Sequence, residues 1–129
     1  MATRQASAGG GAVGIPRDIM GRQGMGCLEL GYTDVALGIS GSFVGNYYDI
    51  DILAKVVITV SADQAGTAYI DWAQDLAGTN AVYSDTLAVV AGTPAYLLTE
   101  CKGPYARVRY VNGATAQAAF KLAFNGKVT

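Results

Sequence analysis

Residues 56–72 read VVITVSADQAGTAYIDW, and the periodicity of this stretch decides the fold. Val56, Ile58 and Val60 fall on one face and Val57, Thr59 and Ser61 on the other, the period of two that a half-buried strand requires. Ala62 to Gly66, with Asp63 and Gln64 at its centre, is a turn. The alternation then resumes: over Thr67 to Gln74, Ala68, Ile70 and Trp72 point inward while Tyr69 and Asp71 point out. Trp72, the only tryptophan, is the candidate centre of the core.

Working outward from this stretch, the same signal repeats. The first strand signal runs from Ile52 to Ser61, and after the polar loop at Gly78 to Asn80 comes a strand over Val82 to Val90. Gly92 and Pro94 break it, and Ala95 to Thr99 is the next. Pro104 opens a strand from Tyr105 to Val111, with Ala106, Val108 and Tyr110 inward and Tyr105, Arg107 and Arg109 outward. Ala118 to Asn125 places Phe120, Leu122 and Phe124 on one face. Towards the N-terminus two weaker, glycine-punctuated candidates run through Leu28, Leu30 and Tyr32 and through Phe43 to Tyr48. Six or seven strands separated by turns, with no stretch of helical period, describe an all-β protein: an antiparallel β-sandwich of immunoglobulin-like or jelly-roll-like type.

The first 26 residues are different material. Eleven of the seventeen glycines lie at or before Gly45, and Met1 to Gly26 shows neither strand nor helix periodicity. Ordering a backbone residue costs roughly 1–2 kcal/mol, which Val13, Ile15, Ile19, Met20 and Met25 alone do not offset. The expected organisation is an extended glycine-rich N-terminal arm over 1–26, ordered on assembly, and a sandwich domain over 27–129. Fully extended, the arm reaches roughly 85 Å at about 3.3 Å per residue, enough to cross a subunit boundary.

Composition narrows the function classes. Charged residues are 15% of the 129 and hydrophobic ones 51%, a low charge density fitting either an Ala- and Gly-rich domain or a surface covered by neighbours. The net charge of −1 lacks the basic footprint of nucleic-acid or membrane-surface binding. No apolar run approaches the roughly 18 residues of a membrane span, and Met1 to Pro16 lacks the apolar core of a signal peptide, so synthesis in the cytoplasm is expected.

The search for chemistry finds little. There is no histidine, which removes the commonest general base and metal ligand. Cys27 and Cys101 lie 74 positions apart (101 − 27) and read as free thiols, with a disulfide as the alternative. Gly9 to Gly14 matches G-x-G-x-x-G but lacks the flanking strand and helix that a dinucleotide site needs, and reads as a hinge. Asp49 and Asp51 read as solvated carboxylates, too few for calcium. Asp71 and Asp75 tempt an acid–base reading, but alternation puts Asp71 on an exposed strand face. No catalytic, cofactor or metal set is expected, and no enzyme. Arg107 and Arg109 share a face with Tyr105, a mixture enriched at interfaces; it either holds a carboxylate of a neighbouring subunit or is solvated.

Two runs carry a resemblance: VVITVSADQAGTAY over Val56 to Tyr69 and GPYARVRYVNGATAQAAF over Gly103 to Phe120. They resemble a β-sandwich module of tailed-bacteriophage virion proteins over about the last three-fifths of the chain. Gly103 stands where Ala is usual, and Asp75 to Asn80, DLAGTN, replaces a more acidic loop. The resemblance implies a head decoration (cement) protein on the virion capsid, often placed around threefold positions. The expected partners are then the major capsid protein and further copies of the chain in a homotrimer, with no nucleic acid, membrane or cofactor. Ile15, Ile19, Met20 and Met25 would anchor the arm, and Tyr105, Arg107 and Arg109 would supply a sheet-face contact. The alternatives are a neck, tail or head-fibre component, or a surface receptor- or carbohydrate-binding module stacking its ligand on Trp72 or the tyrosines.

Overall fold

The computed structural model describes residues 27–128, so the arm, with Ile15, Ile19, Met20, Met25 and the Gly9 to Gly14 motif, lies outside the described residues. Nine strands are described: β1 (Cys27–Thr33), β2 (Ser42–Val44), β3 (Tyr48–Asp49), β4 (Lys55–Ala62), β5 (Gly66–Ala73), β6 (Ala81–Val89), β7 (Ala95–Glu100), β8 (Tyr105–Asn112) and β9 (Phe120–Lys127). Among the described residues no helix is long and apolar enough to cross a membrane.

The pairing is nested. β5 and β6 form the innermost antiparallel pair, then β4 with β7, then β2 and β3 with β8, and outermost β1 with β9. Folding this ribbon over on itself brings β4 against β9 and β5 against β8. The result is a first sheet of order β1-β9-β4-β7 and a second of order β2-β8-β5-β6, with β3 continuing the β2 edge along β8. With β2 and β3 counted as two pieces of one strand, this is the eight-stranded double sheet of a jelly roll, which resolves the two sandwich types expected from sequence.

Every side chain that alternation assigned inward on the four main strands is buried. Val56, Ile58 and Val60 on β4 and Phe120, Leu122 and Phe124 on β9 face Ala68, Ile70 and Trp72 on β5 and Ala106, Val108 and Tyr110 on β8, all at most 3% exposed. Burying a side chain the size of Phe124 contributes about 2–3 kcal/mol. Trp72 is fully buried at the centre, as expected.

Three boundaries move for local reasons. β4 starts at Lys55 rather than Ile52, because Ile50 to Leu53 makes a turn closed by Leu53 N–H donating to Ile50 O at 2.9 Å. That turn buries Ile50 and Leu53 and leaves Ile52 exposed. The Phe43 to Tyr48 candidate splits into β2 and β3, bridged by Gly45 N–H donating to Val108 O at 2.9 Å. In β1 the register shifts between Glu29 and Gly31, a bulge at Leu30. Leu28, Leu30 and Tyr32 therefore do not share a face: Leu30 is buried and Tyr32 turns outward.

Register also separates the cysteines. Cys27 pairs with Lys127, Lys127 with Lys55 and Lys55 with Glu100, so Cys27 and the residue before Cys101 stand three strands apart. That is roughly 14 Å at about 4.8 Å per strand, beyond the roughly 7 Å a disulfide can bridge. Cys101 is a free thiol, and burial pushes its pKa up.

Candidate functional site

The outer face of the second sheet carries the densest polar construction among the described residues. Register creates it: Asp71 on β5 sits between Ser84 on β6 and Arg107 on β8, and Tyr69 beside it pairs with Arg109. The Asp71 carboxylate accepts hydrogen bonds from Ser84 Oγ (2.7 Å), Arg107 Nε (2.8 Å), Arg109 Nε (2.9 Å) and Arg109 Nη2 (3.0 Å). The two guanidiniums in turn lie over aromatic rings, Arg109 at 3.9 Å from the Tyr69 centroid and Arg107 at 4.8 Å from that of Tyr47.

This corrects the sequence reading of Asp71. Alternation does put it on the outer face, but the arginines roof it over and leave it only 4% exposed. Burial works against its charge; the hydrogen bonds from Arg109, Arg107 and Ser84 more than offset that, and its carboxyl is held below the ordinary carboxylate range. The same bond to Asp71 raises the Arg109 pKa. Asp71 is thus spent on its arginines and is not poised to move a proton. The carboxylate for Arg107 and Arg109 comes from the same chain, while the side chains stay 27–30% exposed. Arg107 commits one N–H to Asp71, so a fixed Arg and Tyr surface with donors to spare faces out. Tyr105, half-buried, lies on the same strand face, beside Ala73 in register.

A second polar link closes the sandwich edge. The Trp72 indole Nε1–H donates to Asp85 Oδ2 at 2.8 Å, and Lys102 Nζ donates to both Asp85 oxygens at 2.8 and 3.0 Å while lying 5.1 Å from the Tyr83 ring centroid. The sequence reading missed Asp85 and Lys102; a tryptophan at a core centre still needs an acceptor for its N–H, and that is the signal that points to Asp85. Full burial also removes Trp72 as a stacking platform for a ligand. At the D-x-D pair, Asp51 N–H donates to Asp49 Oδ1 at 3.0 Å, a local turn, and among the described residues no three His, Cys, Asp or Glu side chains converge.

The first sheet presents a contrasting outer face. Tyr32, Ala123, Thr59 and Tyr96 form one cross-strand row over β1, β9, β4 and β7. Two exposed tyrosines thereby flank small residues, beside a depression of about 440 Å³ that Ser61, Pro94 and Lys121 also line.

A family model described as the N-terminal domain of the uncharacterised protein YqxG matches residues 27–127, from the first residue of β1 to the last of β9. The chain belongs to this family. Among solved structures, this YqxG N-terminal-type domain is similar to the PBSX exported protein XepA, with a TM-score of 0.67 and 24% identity over 78% of this chain and 36% of XepA. The chain therefore spans about a third of XepA's length. PirA is similar at a TM-score of 0.51 and 12% identity, over 74% of this chain and 92% of PirA. A protein of the Bacillus endospore appendages, described as disulfide-linked pili, aligns at a TM-score of 0.49 and 13% identity, over 91% of this chain and 100% of that one. At these identities the first two are likenesses of fold. No curated protein matches the chain.

Proposed function

We propose that this protein is a structural, non-catalytic component of a phage particle, and specifically a head decoration protein. It binds the major capsid protein, as a homotrimer, and stabilises contacts between capsomers. The observation that carries this reading is the outer face of the second sheet, where Arg107 and Arg109 are locked by Asp71 and stacked on Tyr69 and Tyr47. Interfaces favour arginine and tyrosine, and side chains already held in place lose little entropy on docking. The phage setting is supported by the jelly roll, an architecture shared by viral capsid domains, by the runs over 56–69 and 103–120 that resemble virion proteins, and by the likeness in fold to the PBSX exported protein XepA. Exposed Val35, Ile39 and Val90, in the loops around β1–β2 and β6–β7, add apolar surface for a neighbour to cover.

The arm works with this face. Residues 1–26 lay Ile15, Ile19, Met20 and Met25 into apolar grooves of the shell, and several arms per oligomer multiply the attachment. Two measurements test the proposal. Purified particles should contain the protein in hundreds of copies; a dozen or fewer would move it to the neck or tail, and absence would end the virion reading. Deleting residues 1–26 should leave β-type circular dichroism intact and abolish particle binding, and undiminished binding would remove the arm from the mechanism.

A further inference from the structure

We propose that the outer face of the first sheet is a binding site for an oligosaccharide carrying an acidic group. Its walls are Tyr32 on the β1 edge and Tyr96 on the β7 edge, 50% and 69% exposed. Three strand spacings separate them, roughly 14 Å at about 4.8 Å each, and the row between holds only Ala123 and Thr59. On the second sheet Tyr47 and Tyr69 are covered by arginines, whereas among the described residues no cation lies over Tyr32 or Tyr96. The bulge at Leu30 makes the Tyr32 wall of this row, because it turns Tyr32 to the outer face.

The floor determines the class of occupant. β4 and β9 are interior strands, each paired on both sides, so their backbone N–H and C=O groups are consumed by the ladders. An extended peptide laid across this face finds no main-chain partners, and augmentation is available only at the sheet edges. What the floor offers instead is side-chain hydroxyl on Thr59 and Ser61, apolar surface on Ala123 and Pro94, and one ammonium, Lys121, its only charged lining residue. A sugar matches that set: the C–H faces of its rings stack on tyrosine, its hydroxyls meet Thr59 and Ser61, and a carboxylate or phosphate substituent meets Lys121. A second copy seated face to face would meet Lys55, Lys121 and Lys127 together with Glu29 and Glu100, and the test below separates it from a sugar. The inference stands apart from the capsid role and does not depend on it.

The test uses the full chain on an array of bacterial surface glycans, followed by calorimetric titration with trigalacturonate and with chitotriose as the neutral control. The expected result is saturable binding of acidic glycans. Tyr32→Ala and Tyr96→Ala should each weaken it about tenfold, and Lys121→Gln should erase the preference for acidic over neutral probes. Both tyrosines are exposed, so the variants should keep the wild-type melting temperature, and a correctly folded variant that binds as tightly as wild type overturns the proposal. So does an array with no retained glycan. A dimer seen by light scattering and lost in Tyr96→Ala would assign the face to a second copy and equally overturn it.

Discussion

Replacing Asp71 by Asn keeps the shape of the side chain and removes its charge, leaving Arg107 and Arg109 side by side over a neutral amide. The native carboxylate accepts three hydrogen bonds from guanidinium groups and one from Ser84. An amide keeps only one acceptor oxygen, so at best two arginine contacts weaken from the about 1.5–3 kcal/mol of a bond to a charged group to the about 0.5–1.5 of a neutral one, and the third is lost because the amide NH2 cannot accept it. The arginine side chains are 27–30% exposed, and solvent recovers part of that sum. The expected destabilisation is about 2–3 kcal/mol, or a fall in melting temperature of about 10–15 °C for a domain of this size. Urea unfolding followed by the fluorescence of Trp72, the only tryptophan, measures it. The pH dependence supplies an independent check. The folded pKa of Asp71 lies below its ordinary value of 3.8, so the contribution is fully present above that value and is lost as pH falls through the folded pKa. The gap between wild type and Asp71→Asn should therefore be constant from pH 7 to pH 5 and narrow below pH 3.8. A difference under about 0.5 kcal/mol at pH 7, or one that widens in acid, would refute the account of the network.

The remaining predictions concern the core and its edge. Gly66→Ala would drive a Cβ into the Tyr110 hydroxyl and place it 2.8 Å from the Val111 carbonyl oxygen; with backbone on one side it should cost about 2–3 kcal/mol in the same urea assay. Asp85→Ala strands the buried Trp72 N–H and should cost about 1–3 kcal/mol, whereas Lys102→Met, which removes only the exposed partner, should leave the urea midpoint close to that of the wild type. Equal losses for those two variants would mean that the lysine, not the indole, is what Asp85 serves.

The sequence discloses what is periodic and hides what depends on partners. β4, β5, β8 and β9 were legible because each alternates cleanly and Trp72, Tyr110 and Phe124 have nowhere to go but inward. Leu53 was not, because it sits in a turn and fills the space over Gly126, where an added Cβ would collide with Leu53 Cδ1. Arg107 and Arg109 were legible as a face, and Asp71 as outward. Their union was not, since it needs β5 beside β8, a pairing 36 residues apart that follows from the ribbon folding over and not from any local pattern. The Tyr32 and Tyr96 row is further still from the sequence: it requires both a bulge that inverts half of β1 and a topology that puts the first and seventh strands in one sheet.

The two outer faces, built on the same jelly roll, differ in whether their exposed side chains also hold the fold. On the second sheet the charges are bound to one another, so a substitution at Asp71 perturbs folding before it perturbs any contact, and a loss of particle binding there carries weight only beside an unfolding curve. Arg107→Lys is the better probe of contact. It keeps the charge near Asp71 but gives up the planar fork and the stacking on Tyr47 that a partner would read. On the first sheet Tyr32 and Tyr96 lie half or more in solvent and hold nothing up, so their removal should leave the unfolding curve unchanged. Particle attachment that falls with Arg107→Lys and survives Tyr32→Ala and Tyr96→Ala would therefore place the assembly contact on one sheet and leave the other free to meet a different ligand.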